Sequence, residues 1–329
     1  MPEKHYVCSD KSLNNNYLTK TLHMNTKRRT AQDALHHVYK ITRDKGVLFY
    51  RAEDHLVYYT LQSVLARRHR LRILGTSHMF THVHEGTLPE DLVQLSSYEH
   101  DLSLIFAREY NRETGRAGSL FERPFGSAPK RSDKERRSCM IYIFNNPVEK
   151  KLVQRAEEDR WNFLAYYEKD YPFSRRPVIR YSRKPLVEAI HLVEHEFQSG
   201  RYLRYNLLHR LFSGLNEYER EQLIDFVIQR YFFFDRRACE ELFGGIPQMI
   251  KATALTTGKE FDVGEEYDPY SDVPYGEMCT LVEKHGLMRM GLPFLHLSEE
   301  RQTRLASYLA QHSGATAWQV ARFLHQEMK

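Results

Sequence analysis

The periodicity of the apolar residues changes once along this 329-residue chain, and that change limits the folds it can adopt. In the first half, short runs of β-branched and aromatic residues, which are typical of strands, alternate with helical spacing. The predicted strands cover 34–42 and 71–84, with a loop or short strand at 120–128, and the predicted helices cover 53–69, 88–110 and a segment ending at Pro147. This order predicts an α+β domain over residues 31–170.

The remainder of the chain is predicted to be mainly helical. Apolar residues recur at helical spacing in four segments, 186–197, 217–234, 246–257 and 275–290. They define a helical accessory region over 171–295, and two short helices around Ser313 and Gly314 fill the last segment, 296–329. Residues 1–30 are polar and predict an N-terminal arm.

The charge distribution and the composition limit which classes of partner the chain is expected to have. The net charge of +5 is uneven, because residues 1–184 carry a positive balance and residues 185–329 a negative one. A basic half suits a polyanion, although a basic surface without a partner has the same composition. No apolar run approaches the roughly 18 residues that cross a bilayer. The chain start lacks the apolar stretch of a secretory signal, and the four cysteines form no CxxC pair, so we expect no membrane partner and a cytoplasmic location.

Two histidines lie at the end of the predicted second strand, in M-F-T-H-V-H-E-G. Because side chains alternate along a strand, His82 and His84 point to one side and Val83 points to the other, toward a core. Two neutral imidazoles placed in this way can hold one metal ion. An H-x-H pair also arises by chance in a chain with 17 histidines, so the pair needs its structural context.

A tyrosine and an asparagine share one face of the helix predicted before Pro147. Tyr142 and Asn146 are four residues apart in Y-I-F-N-N-P-V, and the residue before a proline disfavours helix, so the helix is predicted to stop at Asn146. The alternative is structural: Tyr142 is a half-buried aromatic and Asn146 a helix terminator.

Four segments, in this order and spacing, resemble the REP-associated tyrosine transposases and their single-tyrosine HUH relatives. They are H-V-H, then Y-N-R-E-T-G-R-A-G-S-L-F-E-R-P-F at 110–125, Y-I-F-N-N-P-V-E, and W-N-F-L-A-Y at 161–166. The resemblance implies a ferredoxin-like antiparallel sheet with helices on one face, the HUH endonuclease fold. It implies that His82, His84 and Asn146 bind a divalent metal, Mg²⁺ or Mn²⁺, and that Tyr142 is the nucleophile. Phe80 and Thr81 depart from the Pro and the Asn or Asp that usually precede the first histidine of the family.

The activity that this resemblance implies is transposase-type cleavage and rejoining of single-stranded or hairpin DNA. The ion would orient the scissile phosphate, and the phosphotyrosine would conserve the energy of the broken bond for resealing. Cations for the backbone and aromatics for stacking suit such a strand, whereas a solvated basic face is the alternative for each residue. The predicted DNA contacts are Arg67, Arg68, Arg70, Arg72, Arg112, Arg116, Arg123, Lys130, Arg131, Lys134, Arg136 and Arg137.

Three alternatives stay open. A DNA-binding protein could keep this fold without cleavage, and the altered Phe80-Thr81 pair is compatible with that. A helix-turn-helix over the last segment, with Thr316 and Gln319 as a capping box, would present Gln319, Arg322 and His325 to DNA, although two packing helices have the same pattern. His191, Glu194 and His195 match the H-x-x-E-H of some zinc peptidases, but they lie on the polar face of a predicted amphipathic helix. The sequence leaves both a monomer and a homodimer open.

Overall fold

The computed structural model describes residues 33–256 and 270–326. The predicted N-terminal arm therefore lies outside the described residues. The strands are β1 (Leu35–Ile41), β2 (Arg72–His78), β3 (His82–Leu88) and β4 (Gly126–Lys130). The helices of the first part are α1 (Ala52–His69), α2 (Leu92–Thr114) and α3 (Asp133–Glu149). Those that follow are α4 (Lys184–Gln198), α5 (Tyr205–Ser213), α6 (Glu217–Arg230), α7 (Arg236–Phe243), α8 (Ile246–Leu255), α9 (Val273–Lys284), α10 (Glu299–His312) and α11 (Ala317–Phe323).

The strands form one antiparallel sheet in the order β2-β3-β1-β4. Every neighbouring pair runs antiparallel, so β1 contacts β3 on one side and β4 on the other. Along the chain the elements follow the order strand, helix, strand, strand, helix, strand. The chain is therefore an α+β protein with a four-stranded antiparallel sheet and a helical C-terminal region.

The sheet separates two packing layers. Glu85 of β3 accepts a hydrogen bond from Gln62 of α1 and another from Tyr98 of α2, which places these helices on one face. Gly86, the next residue, lies against Met140 of α3 on the opposite face. The expectation of helices on one face holds for α1 and α2 only, because α3 covers the other face.

The second strand of the prediction is a hairpin in the structure. The segment predicted as one strand over 71–84 divides at Met79, Phe80 and Thr81, and the Met79 amide donates to the His82 carbonyl at 2.9 Å to close the turn. His82 and His84 therefore begin β3 rather than end β2. The turn has no Gly, Pro, Asn or Asp, so the usual sequence signals for a turn are missing.

The described residues form two hydrophobic cores, and these cores do not coincide with the predicted domains. The larger core joins the sheet and α1–α3 with α4–α8, from Leu35 to Met249, so these later helices share the core of the α+β domain. The smaller core joins α9–α11 with Val47 and Tyr50, and the partly buried Phe80 packs against it. The predicted boundary at residue 296 would therefore cut through the smaller core.

The smaller core contacts both segments that lead to the predicted site. Phe80, two residues before His82, packs on Tyr275 of α9 with ring centroids 5.5 Å apart. At the end of α3, the carbonyl of Lys150 accepts from the backbone amide of Asp272 at 3.0 Å. The C-terminal helices thus support the histidine turn and the end of α3 together.

Glu113 connects four parts of the fold. Its carboxylate accepts hydrogen bonds from Arg51 before α1, at 2.6 Å, and from His209 of α5, at 2.8 Å. The backbone amide of Gly291, after α9, adds a third at 3.1 Å. Burial alone would raise the pKa of Glu113, but these donors hold it at about 2.

A Glu113→Gln variant is expected to be less stable than the wild type at neutral pH, by about 2–3 kcal/mol. Because the folded-state pKa lies below that of the unfolded chain, the carboxylate stabilises the protein above the unfolded value and loses this effect as the pH falls toward the folded value. The difference in unfolding free energy between wild type and variant should shrink by about 1 kcal/mol between roughly pH 5.5 and 3.5. Urea titrations at several pH values measure it.

The control is Glu300→Gln, which breaks an exposed pair with Arg304 on α10. Exposed pairs of this kind contribute little, so this variant should follow the wild type across the same pH range. A constant difference between the Glu113→Gln variant and the wild type from pH 7 to pH 3.5 would contradict the assignment.

Among the described residues, no helix has both the length and the apolar character that a membrane crossing requires.

Candidate active site

The histidine pair faces α3. A Cβ atom on Gly86 would lie against α3, so this face of β3 is the one that α3 covers. Because side chains alternate along a strand, His84 and His82 lie on the same face as Gly86, whereas Val83 is buried on the other face. The predicted division of the three side chains between the two faces is confirmed. His84 is fully buried, and His82, at the strand start, is half-buried.

Helix α3 begins with a well-formed cap. Ser132 accepts a hydrogen bond from the Glu135 amide, and the Glu135 carboxylate reaches back to the Ser132 amide at 2.8 Å. The helix continues through Pro147 to Glu149, so the predicted stop at Asn146 is wrong. Pro147 removes only one backbone donor near the C-terminus, where the missing hydrogen bond costs less than in the middle of a helix.

Two glycines let α3 approach the sheet closely. A Cβ atom built on Gly75 of β2 would lie 2.8 Å from the Phe144 ring, and one on Gly86 of β3 would overlap Sδ of Met140. These two residues are partners in the β2–β3 ladder. Their missing side chains make room for the buried face of the helix that carries Tyr142.

The four residues predicted to form the site lie together. The ring centroid of Tyr142 is 5.6 Å from that of His84, and the His82 and His84 rings are 4.8 Å apart. The Asn146 side chain lies close enough to both imidazoles to raise the pKa of each. Asn146 donates its Nδ2 to the Tyr142 carbonyl at 3.1 Å, which leaves its Oδ1 as the atom that could bind an ion.

Both imidazoles are neutral and each has a partner at Nδ1. Thr81 Oγ1 lies 3.0 Å from Nδ1 of His82, and Nε2 of His37 lies 2.9 Å from Nδ1 of His84. Burial and then the Lys150 ammonium lower the pKa of His82 to about 3, against the opposite influence of the Asn146 side chain. Burial, followed by His82, His37 and Lys150, lowers the pKa of His84 well below its usual value. Neutral imidazoles retain the lone pair that a metal ligand needs.

These side chains fit a divalent ion as an incomplete ligand set. Two imidazole nitrogens and one amide oxygen would leave coordination positions for phosphate oxygens. In residues 33–256 and 270–326, no three His, Cys, Asp or Glu side chains are grouped as metal ligands. An ion at this site would therefore depend on the Asn146 amide and on oxygens of a bound substrate.

Three neighbours of the site were not predicted as site residues. His37 is fully buried on β1, and its ring centroid lies 5.6 Å from that of Tyr142. Thr81 contacts His82, and Lys150, at the end of α3, lowers the pKa of both site histidines. Alternation along β1 would have placed His37 and Tyr39 on one face, but only the strand order shows that this face is the one with His84.

The first group of predicted DNA contacts lies away from the histidines. In the β2–β3 ladder Arg72 is opposite Leu88, four residues beyond His84, which corresponds to roughly 13 Å along the strand. Arg72 pairs with Asp235 at 2.6 Å, and Arg67 lies over the Phe197 ring. Arg68 and Arg70 are exposed near them. Arg72 therefore lies on the strand beside the histidine strand, but at the far end of the ladder from the histidines.

The second group lies at the start of α3. Arg131 and Lys134 are exposed, and Lys134 is eight residues before Tyr142, or roughly 12 Å along the helix. Arg136 and Arg137 donate to the carbonyls of Asp33 and Leu242, and Lys130 is buried. Within this group, Arg131 and Lys134 are the exposed cations without such a carbonyl contact.

The arginines of the third group, from the end of α2 to β4, differ in their surroundings. Arg123 lies over the Tyr39 ring, 5.8 Å from its centroid, and Tyr39 is the ladder partner of His84. Arg112 pairs with Glu109 at 3.1 Å, and Arg116 is half-buried. Phe121 and Phe125, which are close to Arg123 in the sequence, are buried in the larger core, so their rings are not exposed for base stacking.

The helix pair at the chain end packs against the protein. The predicted capping box of Thr316 and Gln319 is present, and Val320 and Phe323 are buried. Gln319 is itself buried and donates to the Ser271 carbonyl at 2.9 Å, whereas His325 bonds the Val47 carbonyl at 2.8 Å. The prediction that these two residues face DNA is wrong, and Arg322 lies over the Trp318 ring.

The H-x-x-E-H segment on α4 offers no base. His191 and His195 are exposed, but Glu194 pairs with Arg230 at 2.5 Å, and this pairing lowers the pKa of Glu194. A carboxylate held in this way is poorly suited to take a proton from a metal-bound water.

No protein-family model matches the chain, and no curated protein and no solved structure matches it either.

Proposed function

We propose that this chain is a metal-dependent endonuclease and strand transferase of the tyrosine transposase type. Its substrate is single-stranded or hairpin DNA, and cleavage passes through a covalent phosphotyrosine on Tyr142. The strand order β2-β3-β1-β4 with antiparallel neighbours is that of a ferredoxin-like sheet, which supports the HUH endonuclease fold.

The proposal rests on the arrangement of the four site residues. The ring centroid of Tyr142 lies 5.6 Å from that of His84, and Asn146, one helical turn later, lies close enough to His82 and His84 to raise the pKa of both. These residues come from segments about sixty positions apart, and four buried or half-buried polar side chains rarely converge in a hydrophobic layer without a reason.

A divalent ion bound to His82, His84 and Asn146 would polarise and orient the scissile phosphate. The Tyr142 oxygen bonds to phosphorus, the bond to the 3′-oxygen of the neighbouring nucleotide breaks, and a 5′-phosphotyrosine forms. The phenol loses one proton and the departing 3′-oxygen gains one. Because the phosphodiester energy is retained, the 3′-hydroxyl can attack the phosphotyrosine and reseal the strand.

Four cations of the chain suit the phosphate charge. Lys150 lies close enough to His82 and His84 to lower the pKa of both, so its ammonium would also attract a phosphate bound beside them. Arg123 lies over Tyr39 beside the same histidine strand. Arg131 and Lys134 are exposed at the start of α3, where they can contact the flanking backbone.

The departure at Phe80 and Thr81 is compatible with cleavage. Phe80 packs on Tyr275, and the Thr81 hydroxyl contacts Nδ1 of His82. Both residues therefore support the turn that carries the histidines.

The test is covalent capture. We expect the full chain, incubated with Mn²⁺ and a labelled pool of hairpin oligonucleotides with randomised single-stranded flanks, to give an adduct that survives denaturing electrophoresis. Chelation by EDTA should reduce the adduct by about 100-fold or more, since the phosphate loses its orienting ion, and added Mn²⁺ should restore it. A pool that is retained in a mobility shift but gives no adduct would instead favour a DNA-binding protein that has lost cleavage.

A further inference from the structure

We propose that His37 is a positioning residue that holds His84 in the tautomer and orientation required of a metal ligand. This inference rests on the proposed function, because it assigns His37 a role at the same site.

The contact joins two strands within the buried layer. His37 and His84 are both fully buried, on β1 and β3, and Nε2 of His37 lies 2.9 Å from Nδ1 of His84. Their ring centroids are 5.0 Å apart at an interplanar angle of 42°. The two residues are diagonal neighbours in the β1–β3 ladder, where Tyr39 is directly opposite His84 and Gly86 is opposite His37.

A hydrogen bond between two neutral imidazoles has one donor and one acceptor. If His84 donates through Nδ1–H, its Nε2 carries the lone pair, and His37 accepts through Nε2. With the opposite assignment, Nε2 of His84 carries the proton and cannot bind an ion. Metal-binding histidines generally donate their other ring N–H to such a partner, which fixes the ring orientation and strengthens the ligand.

The second histidine repeats the arrangement with a different partner. The hydroxyl of Thr81 lies 3.0 Å from Nδ1 of His82, and if it accepts a hydrogen bond from Nδ1–H, Nε2 of His82 also carries a lone pair. Asn146, on α3, lies close enough to both imidazoles to raise the pKa of each. The three candidate ligands therefore lie together, and a neighbouring side chain contacts Nδ1 of both His82 and His84.

The test compares three variants of the full chain. His37→Phe keeps a ring of similar size but removes the acceptor, and His37→Gln retains an acceptor. The matched control is His36→Phe, because His36 is the adjacent residue, is equally buried, and bonds Ser127 on the opposite face of the sheet at 2.9 Å.

Mn²⁺ affinity, measured from the signal of unbound Mn²⁺ by electron paramagnetic resonance, is the first readout. We expect His37→Phe to weaken binding by about 10- to 100-fold, as loss of an outer partner does. His37→Gln should recover part of the loss, and His36→Phe should bind as the wild type does. Equal affinity of the wild type and His37→Phe, or no Mn²⁺ binding by the wild type, would overturn the proposal.

The second readout is the tautomer of His84 in the wild type, which does not depend on the folding of the His37 variants. In the ¹⁵N spectrum of histidine-labelled wild type, the resonances lost in His84→Ala identify His84, and they should show the Nδ1–H tautomer. The Nε2–H tautomer would overturn the proposal. If the tautomer and the affinity loss are as expected but no DNA adduct forms, the positioning role stands and the proposed function fails.

Discussion

Replacing Tyr142 by phenylalanine is expected to abolish the covalent DNA adduct and to leave DNA retention nearly unchanged. The phenylalanine ring can keep the packing against His37 and His84, whose centroids both lie 5.6 Å from that of Tyr142. Without the phenol oxygen no bond to phosphorus can form, so the cleavage rate should fall by about 10⁴-fold or more, to below detection. Adduct formation on denaturing gels and retention in a mobility shift measure the two effects separately.

The matched control is Tyr181→Phe. Tyr181 is 73% exposed and lies in the connection before α4, remote in sequence from the α3 site, so this variant should form the adduct at the wild-type rate. Adduct formation by Tyr142→Phe would show that another group is the nucleophile. Loss of both binding and the adduct would point to a structural role for the hydroxyl.

A Gly75→Ala change is expected to move the tyrosine helix away from the histidine strand. The added methyl group would lie 2.8 Å from the buried Phe144 ring and 2.9 Å from the end of Met140, so α3 has to shift or its core has to repack. Such overpacking costs about 1–3 kcal/mol of folding free energy. A displacement of about 1 Å between the phenol and the phosphate can lower the cleavage rate by roughly 100-fold.

Two measurements separate these effects. Urea unfolding gives the stability loss, and single-turnover adduct formation at a temperature where the variant is folded gives the rate loss. Gly276→Ala is the control, because its Cβ would lie 4.0 Å from the Phe80 ring, at ordinary contact distance within α9. If Gly75→Ala were as stable and as active as this control, the close approach of α3 would have no role in the site.

The sequence predicted the elements that have strong local signals. β1 and α1 lie within two residues of their predicted bounds, and the Thr316–Gln319 cap is present where the motif predicted it. The face shared by His82 and His84 follows from strand alternation alone, whichever strand carries them. The β2–β3 hairpin was not predicted, because its turn has none of the residues that mark turns.

Other features depend on contacts between distant segments. His37 meets His84 only because β1 lies beside β3, and Gln319 turns inward only because α11 lies against Ser271. Lys40, alternating with Tyr39 on β1, is fully buried and pairs with Glu99 of α2 at 2.5 Å. A charged residue in a strand normally predicts a solvent-exposed face. Burial of Lys40 is tolerable only because Glu99, from another element, pairs with its ammonium group.

The central claim is that the Tyr142 oxygen and the ion-binding side chains act on the same phosphate. Peptide mapping of the purified DNA adduct by mass spectrometry tests it most directly. We predict a nucleotide attached through its 5′-phosphate to the Tyr142 side chain, formed with Mn²⁺ and missing with EDTA. A nucleotide on any other residue, or one that forms equally without metal, would contradict the account.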